Sequence, residues 1–197
     1  MRIPLFILLA SSTAFADTEV GLGTDVRALH SPSANALTED SLWGGHATIA
    51  RTLMPGVWLT GATGISGATG TMFEMSTSVV QETFTAGVRA RYPLRGPLAA
   101  IARLDLGVSN TDIKLEDPSY QTLSDHAWAP LASGALGLEL GTHVRFELGY
   151  VACAPVELTA RSHPPDDGTI RLPMTQASLG SLDLSGKYAS ISWLVRF

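Results

Sequence analysis

Over short stretches of this chain, apolar residues alternate strictly with small or polar ones. A period of two residues marks an extended strand with one apolar face. Residues 83–92 set Phe84, Ala86, Val88, Ala90 and Tyr92 against Thr83, Thr85, Gly87, Arg89 and Arg91. Residues 98–109 oppose Ala100, Ala102, Leu104, Leu106 and Val108 to Arg103, Asp105, Gly107 and Ser109. The pattern returns in 132–140 (Leu136, Leu138 and Leu140 against Ser133, Ala135, Gly137 and Glu139) and in 144–152 (Val144, Phe146, Leu148 and Tyr150 against Arg145, Glu147 and Gly149). In 18–30, Val20, Leu22, Val26 and Ala28 oppose Glu19, Gly21, Gly23, Asp25 and Arg27. The final segment opposes Ala189, Ile191, Trp193, Val195 and Phe197 to Ser190, Ser192 and Arg196. Segments 45–53 and 57–66 alternate poorly, and the pattern leaves open which face Arg51 and Trp58 take. With these two the chain predicts eight strands of about 9–11 residues, the length that crosses a bilayer at a tilt.

The connections alternate in length. Tight turns are predicted at 54–56, 93–97 and 141–143, and long polar stretches near 31–43, 67–82, 110–125 and 154–177. Short turns at one end and long loops at the other define an up-and-down barrel, and an even strand count returns both chain ends to one side. A soluble sandwich or lipocalin-like barrel shares the alternation but buries its apolar face inward.

Three observations turn the apolar face outward. The other face collects Arg27, Arg89, Arg91, Arg103, Asp105, Glu139, Arg145, Glu147 and Arg196, too many charges for a dry soluble core. The apolar face carries Tyr92, Phe146, Tyr150, Trp193 and Phe197, suited to interfacial aromatic girdles. The chain also stops on an aromatic residue that ends an apolar row. Composition agrees: the 197 residues are 45% hydrophobic and 16% charged, with a single cysteine and so no intrachain disulfide framework. The reading is all-β, an eight-stranded antiparallel transmembrane up-and-down barrel.

Residues 1–16 read as a secretory signal. Arg2 is the positive start, residues 3–10 the apolar core, and Ala14-Phe15-Ala16 the small-x-small cleavage pattern. That core is too short to span a bilayer as a helix, and no cysteine follows for a lipid anchor. The barrel domain is then 17–197. Without Arg2, twelve Lys/Arg stand against eighteen Asp/Glu, a net charge of −6 that argues against nucleic acid as a partner.

The last ten residues, YASISWLVRF, resemble the terminal strand by which outer-membrane proteins are recognised for barrel assembly, with Ile191, Trp193, Val195 and Phe197 as the alternating row. Residues 130–150 (PLASGALGLELGTHVRFELGY) are similar to the sixth and seventh strands of small outer-membrane barrels of the OmpA/OmpX/opacity (OmpW-like) type. The resemblance covers the mature chain as architecture. It implies outer-membrane lipid and lipopolysaccharide as surroundings, the barrel-assembly machinery as a partner of the C-terminal strand, and location in the outer membrane of a Gram-negative bacterium. The length leaves no room for the peptidoglycan-binding domain of full-length OmpA proteins, so that anchoring role is not expected.

The inward charges are the strongest constellation. Spaced two apart, they stack along the barrel axis and are placed to pair across strands. An eight-stranded barrel is only just wide enough for its interior side chains, so an interlocking plug is expected in preference to a conducting path. Other motifs carry less. A lipid A deacylase pattern needs His-x-Ser, but His126 is followed by Ala127 and Trp128; Ser124, His126 and Glu139 make only a rearranged triad. His163, Asp166 and Asp167 resemble cation ligands, yet Pro164, Pro165 and Gly168 make a solvated turn the simpler account. Asp112, Glu116, Asp117 and Asp125 give another external loop an acidic cast. The repeat within 61–70, GATGISGATG, lacks the Lys-Ser/Thr ending of a phosphate loop. Cys153 is expected to be buried and unpaired.

No cofactor, metal or catalysis is expected. The leading function is a surface barrel whose loops contact the outside, in adhesion, envelope integrity or binding of an extracellular ligand. The alternatives are a narrow channel or transporter for small or apolar solutes and, third, a lipid A-modifying enzyme.

Overall fold

The architecture is that of a computed structural model describing residues 17–72, 75–116, 122–162 and 177–197. The expected signal segment 1–16, Asp117, His163, Asp166 and Asp167 lie outside the described residues.

Ten strands and one short helix follow in order: β1 (Thr18–Leu29), α1 (Pro32–Thr38), β2 (Ser41–Met54), β3 (Val57–Met72), β4 (Met75–Pro93), β5 (Leu98–Glu116), β6 (Thr122–Leu140), β7 (Val144–Cys153), β8 (Val156–Ser162), β9 (Ala177–Leu182) and β10 (Gly186–Arg196). Strands β1 to β7 and β10 pair antiparallel with their neighbours, and the β5–β6 and β1–β10 ladders close them into an eight-stranded ring. At the seam the Thr18 N–H donates to the Phe197 carbonyl at 3.3 Å and the Phe197 N–H to the Thr18 carbonyl at 2.9 Å. Closure leaves no unpaired edge, which is what permits strands to cross a bilayer. The tight connections fall at the end that holds both termini, and Gly56 and Gly141 take φ of 78° and 64° there, a region nearly closed to other residues.

The external stretches differ from the expected loops. β3 and β4 run on to Met72 and from Met75, and β5 and β6 to Glu116 and from Thr122, so most of 67–82 and 110–125 is ladder. Residues 31–43 contain α1 and the start of β2, and 154–177 opens on β8, which pairs with β9 in a hairpin outside the ring. The sequence pattern stops at the bilayer edge because the outward face turns polar, whereas backbone pairing needs no apolar face to continue.

Along β5 the outward row runs Leu104, Leu106 and Val108, exposed and apolar, then Asp112, Lys114 and Glu116, exposed and charged. The inward row inverts in step, from Arg103 and Asp105 to Ile113 and Leu115. On β4 the change falls between Phe84 and Glu82, and Glu82, Asn110 and Trp128 are register partners on successive strands. This level marks the outer bilayer face. Trp128 stacks on Phe84 there, ring centroids 6.3 Å apart. Exposed Tyr92, Phe146, Trp193 and Phe197 gird the opposite end.

The chain is therefore inside-out within the bilayer and conventional above it. Beyond the boundary, α1 and the β8–β9 hairpin bring Ala34, Leu37, Leu158 and Leu182 against Val79, Ile113, Leu115 and Leu123 in a buried apolar cluster. Thr77 Oγ1 donates to the Leu37 carbonyl at 2.7 Å and pins α1 to β4. The two facings left open are settled by the ladder: Trp58 is buried in the lumen and Arg51 is exposed on the outer surface near the termini.

Candidate functional site: the lumenal network

The inward charges gather at two levels, with Arg27 apart from both. Nearest the termini, Glu19 of β1 and Glu139 of β6 face four arginines. Glu19 accepts from Arg89 Nη1 at 2.6 Å and Arg196 Nε at 2.8 Å, and pairs closely with Arg145. Glu139 accepts from Arg91 Nε at 2.8 Å, Arg196 Nη2 at 2.7 Å and Arg145 Nη2 at 3.1 Å. The Arg89 and Arg196 guanidinium carbons also lie 5.1 and 5.4 Å from the Trp58 ring, within cation–π range. The side chains of Arg89, Arg145 and Glu19 are each 1% exposed and that of Glu139 is 0% exposed, so the cluster fills the lumen from wall to wall.

One level up, Arg103 Nε lies 2.9 Å from Asp105 Oδ2, out of line for a hydrogen bond but in ion-pair contact, and Nη1 is 3.4 Å from Glu147 Oε2. Arg103 Nη2 donates to the Tyr188 hydroxyl at 3.1 Å, and Thr60 Oγ1 and Ser133 Oγ donate to Asp105 at 3.0 and 3.3 Å. Arg89 and Arg103 are direct register partners, an arrangement of like charges that repels unless the side chains part. They do part: Arg89 reaches down to Glu19 and Arg103 up to Asp105 and Glu147.

Arg27 stands apart from these pairs, donating from Nη1 to Gln81 Oε1 at 2.6 Å and to the Leu184 carbonyl at 3.4 Å. Between it and the ion pairs lies a cavity of ≈ 80 Å³. There His46 Nδ1 faces Asp25 Oδ1 at 3.3 Å and Nε2 faces Ser192 Oγ at 2.9 Å.

Sequence reasoning placed Glu19 on the inward face but left it out of the charge network, of which it is a hub. It also missed Trp58, His46 and Tyr188. The period-2 pattern marks Glu19 and Tyr188 as inward but not His46 or Trp58, whose segments alternate poorly; which of them meet is set by strand tilt across the lumen. The row Ile191, Trp193, Val195 and Phe197 lies on the outer face of β10, with Trp193, Val195 and Phe197 exposed.

Glu139 of the rearranged triad is thirteen residues from His126 on β6, roughly 40 Å along an extended strand, so that triad does not assemble. The glycine repeat is part of β3 and forms no loop. Cys153 is buried and free. Among the described residues no group of three or more His, Cys, Asp or Glu is placed to hold a metal ion.

No family model matches the sequence, and no curated protein is similar to it. Solved structures are similar in fold. A major outer membrane protein from Thermus thermophilus has a TM-score of 0.62 at 12% identity, over 92% of this chain and 100% of that one. Ail, the attachment invasion locus protein of Yersinia pestis, solved in complex with the heparin analogue sucrose octasulfate, has a TM-score of 0.58 at 8% identity, over 91% and 99%. Neisserial surface protein A has 0.50 at 8% identity, over 93% and 99%. At these identities the likeness is one of fold: small outer-membrane β-barrels.

Proposed function

We propose that this chain is an integral outer-membrane protein, exported by cleavage after Ala16, whose barrel is sealed and whose working surface is the external crown. The observation that carries the reading is the closure of the lumen by Glu19 and Glu139 among Arg89, Arg91, Arg145 and Arg196. A continuous solute path would have to displace at least two buried ion pairs, and breaking one such pair costs about 3–5 kcal/mol. The apolar cluster beneath α1 and the hairpin is a second stopper at the outer end. With the lumen blocked at both ends, contact with the outside falls to the crown, in adhesion or envelope integrity and without catalysis.

The crown's charge narrows its partners. Among the described residues it exposes Glu39, Asp40, Asp112, Glu116 and Glu157 against Lys114 and Lys187. A polyanion of the kind bound to Ail is repelled by such a surface, so neutral or cationic groups, including the divalent cations that bridge lipopolysaccharide phosphates, are the better match. The row Ile191, Trp193, Val195 and Phe197 is assigned to recognition by the barrel-assembly machinery.

Planar-bilayer recording of the refolded mature protein tests the central reading. Folding is first verified by heat-modifiable migration, and the expected record is a flat baseline. Stable single-channel steps in the wild type would overturn it and favour the channel. N-terminal sequencing of the exported protein checks that it starts at Asp17.

A further inference from the structure

The cavity between the two closures has an unusual balance of hydrogen-bonding groups. Arg27, Ser190, Tyr188, Arg103, His46 and Asp25 are among its lining residues. Arg27 is 5% exposed and, among the described residues, no carboxylate lies within ion-pair distance of it and its Nε–H has no hydrogen-bond partner. Ser190, 9% exposed, likewise has an unpartnered hydroxyl. The Tyr188 oxygen accepts from Arg103, which leaves the phenolic hydrogen to donate elsewhere. The neighbouring charges are already engaged: Arg103 with Asp105 and Glu147, and Asp25 with His46.

Three donors on separate side chains thus border one space, and one of them belongs to a buried cation whose hydrogen-bond partners among the described residues are neutral, Gln81 and a backbone carbonyl. A buried guanidinium is costly without a counter-charge, and charge-assisted hydrogen bonds to an anion are the strongest way to supply it. The volume of ≈ 80 Å³ has room for several waters, each needing roughly 10–15 Å³ of such space. A phosphate- or carboxylate-sized group fits.

We propose that this cavity is a binding site for a small oxyanion, held by Arg27 with Ser190 and Tyr188. The anion would supply Arg27 with the counter-charge that no carboxylate among the described residues provides within ion-pair distance. This assignment is independent of what the crown contacts.

The test uses the mature protein refolded in detergent with inorganic phosphate or, at equal ionic strength, chloride, the anion being present throughout refolding so that a closed lumen does not bar entry. Thermal unfolding is followed by loss of heat-modifiable migration. Phosphate is expected to raise the wild-type midpoint with a saturable dose response, Arg27→Gln to weaken that response about tenfold or more, and Ser190→Ala to weaken it by less. Arg95→Gln, in the exposed β4–β5 turn, should respond like the wild type. An unchanged response in Arg27→Gln, or none in the wild type, overturns the site. If Arg27→Gln does not refold, crystals of the wild type grown with selenate decide: an anomalous peak beside Arg27 supports the site, and peaks only at the barrel ends refute it.

Discussion

Glu19 offers the sharpest test of the closed lumen. Replacing it by Gln keeps the shape and one acceptor oxygen but removes the charge that holds Arg89, Arg145 and Arg196 together. In the wild type, two carboxylates offset four guanidinia, a local excess of two positive charges; Glu19→Gln raises the excess to three. Each lost contact near 4 Å is worth up to about 4 kcal/mol at an effective dielectric of 20, and the desolvation cost of the carboxylate, now relieved, cancels much of that sum. Removing one partner of a buried pair gives a net loss of about 3–5 kcal/mol, and that is the size expected here. Reversible urea unfolding of the protein refolded into lipid vesicles, followed by tryptophan fluorescence, measures it. Arg89→Met is expected to couple: the double variant should lose less than the two single losses combined, by about 1–3 kcal/mol. A loss below about 1 kcal/mol for Glu19→Gln, or additive behaviour with Arg89→Met, would refute the idea that these groups act as one cluster.

Other expectations follow from the same geometry. A Cβ at Gly23 would lie 2.3 Å from the Ile191 carbonyl oxygen and 2.7 Å from both His46 Nε2 and Ser192 Oγ, whereas at Gly45 its nearest neighbour is 3.5 Å away. Gly23→Ala should therefore cost about 1–3 kcal/mol in the same unfolding assay while Gly45→Ala costs little, and equal effects would count against this tight crossing of β2, β1 and β10. Leu106→Arg on the lipid face should lose about 2–4 kcal/mol, while Asp112→Arg, six residues along the same outward row but above the boundary, should change stability by less than about 0.5 kcal/mol; comparable losses would misplace the bilayer edge. Deleting Phe197 is expected to lower the yield of folded protein in the outer membrane of cells while leaving detergent refolding intact, and equal cellular yields would remove it as an assembly signal.

Much of the candidate site is visible in the sequence as a set and hidden as an arrangement. Residues such as Arg103, Asp105, Arg145 and Glu147 betray their inward facing by spacing alone, because each must avoid lipid. The omission of Glu19 from the expected network has a physical origin. Within β1 it has no basic neighbour two residues away to mark it as paired; its partners Arg89, Arg145 and Arg196 lie on β4, β7 and β10. Trp58 escaped for a different reason. β3 carries Thr and Gly on both faces, so neither face reads as the lipid side until the ladder to β2 and β4 fixes it. The external half was read as loop because hydropathy, the property being followed, reverses its facing there; Ile113 and Leu115 point inward just where the rule for the membrane segment says polar.

The sequence by itself determined the number of bilayer-crossing strands, the facing of six of the eight, the ends at which turns are tight, and the sign of every lumenal charge. These are local properties, carried by a two-residue period and by side chains that can or cannot meet hydrocarbon. Only the tertiary structure decided which charges meet, that β8 and β9 fold against the apolar cluster, and that a donor-rich cavity lies between ion pairs and apolar cap. The reason is closure: strand tilt and stagger around the ring set the height of each inward residue, and height across a lumen is a property of all eight strands together.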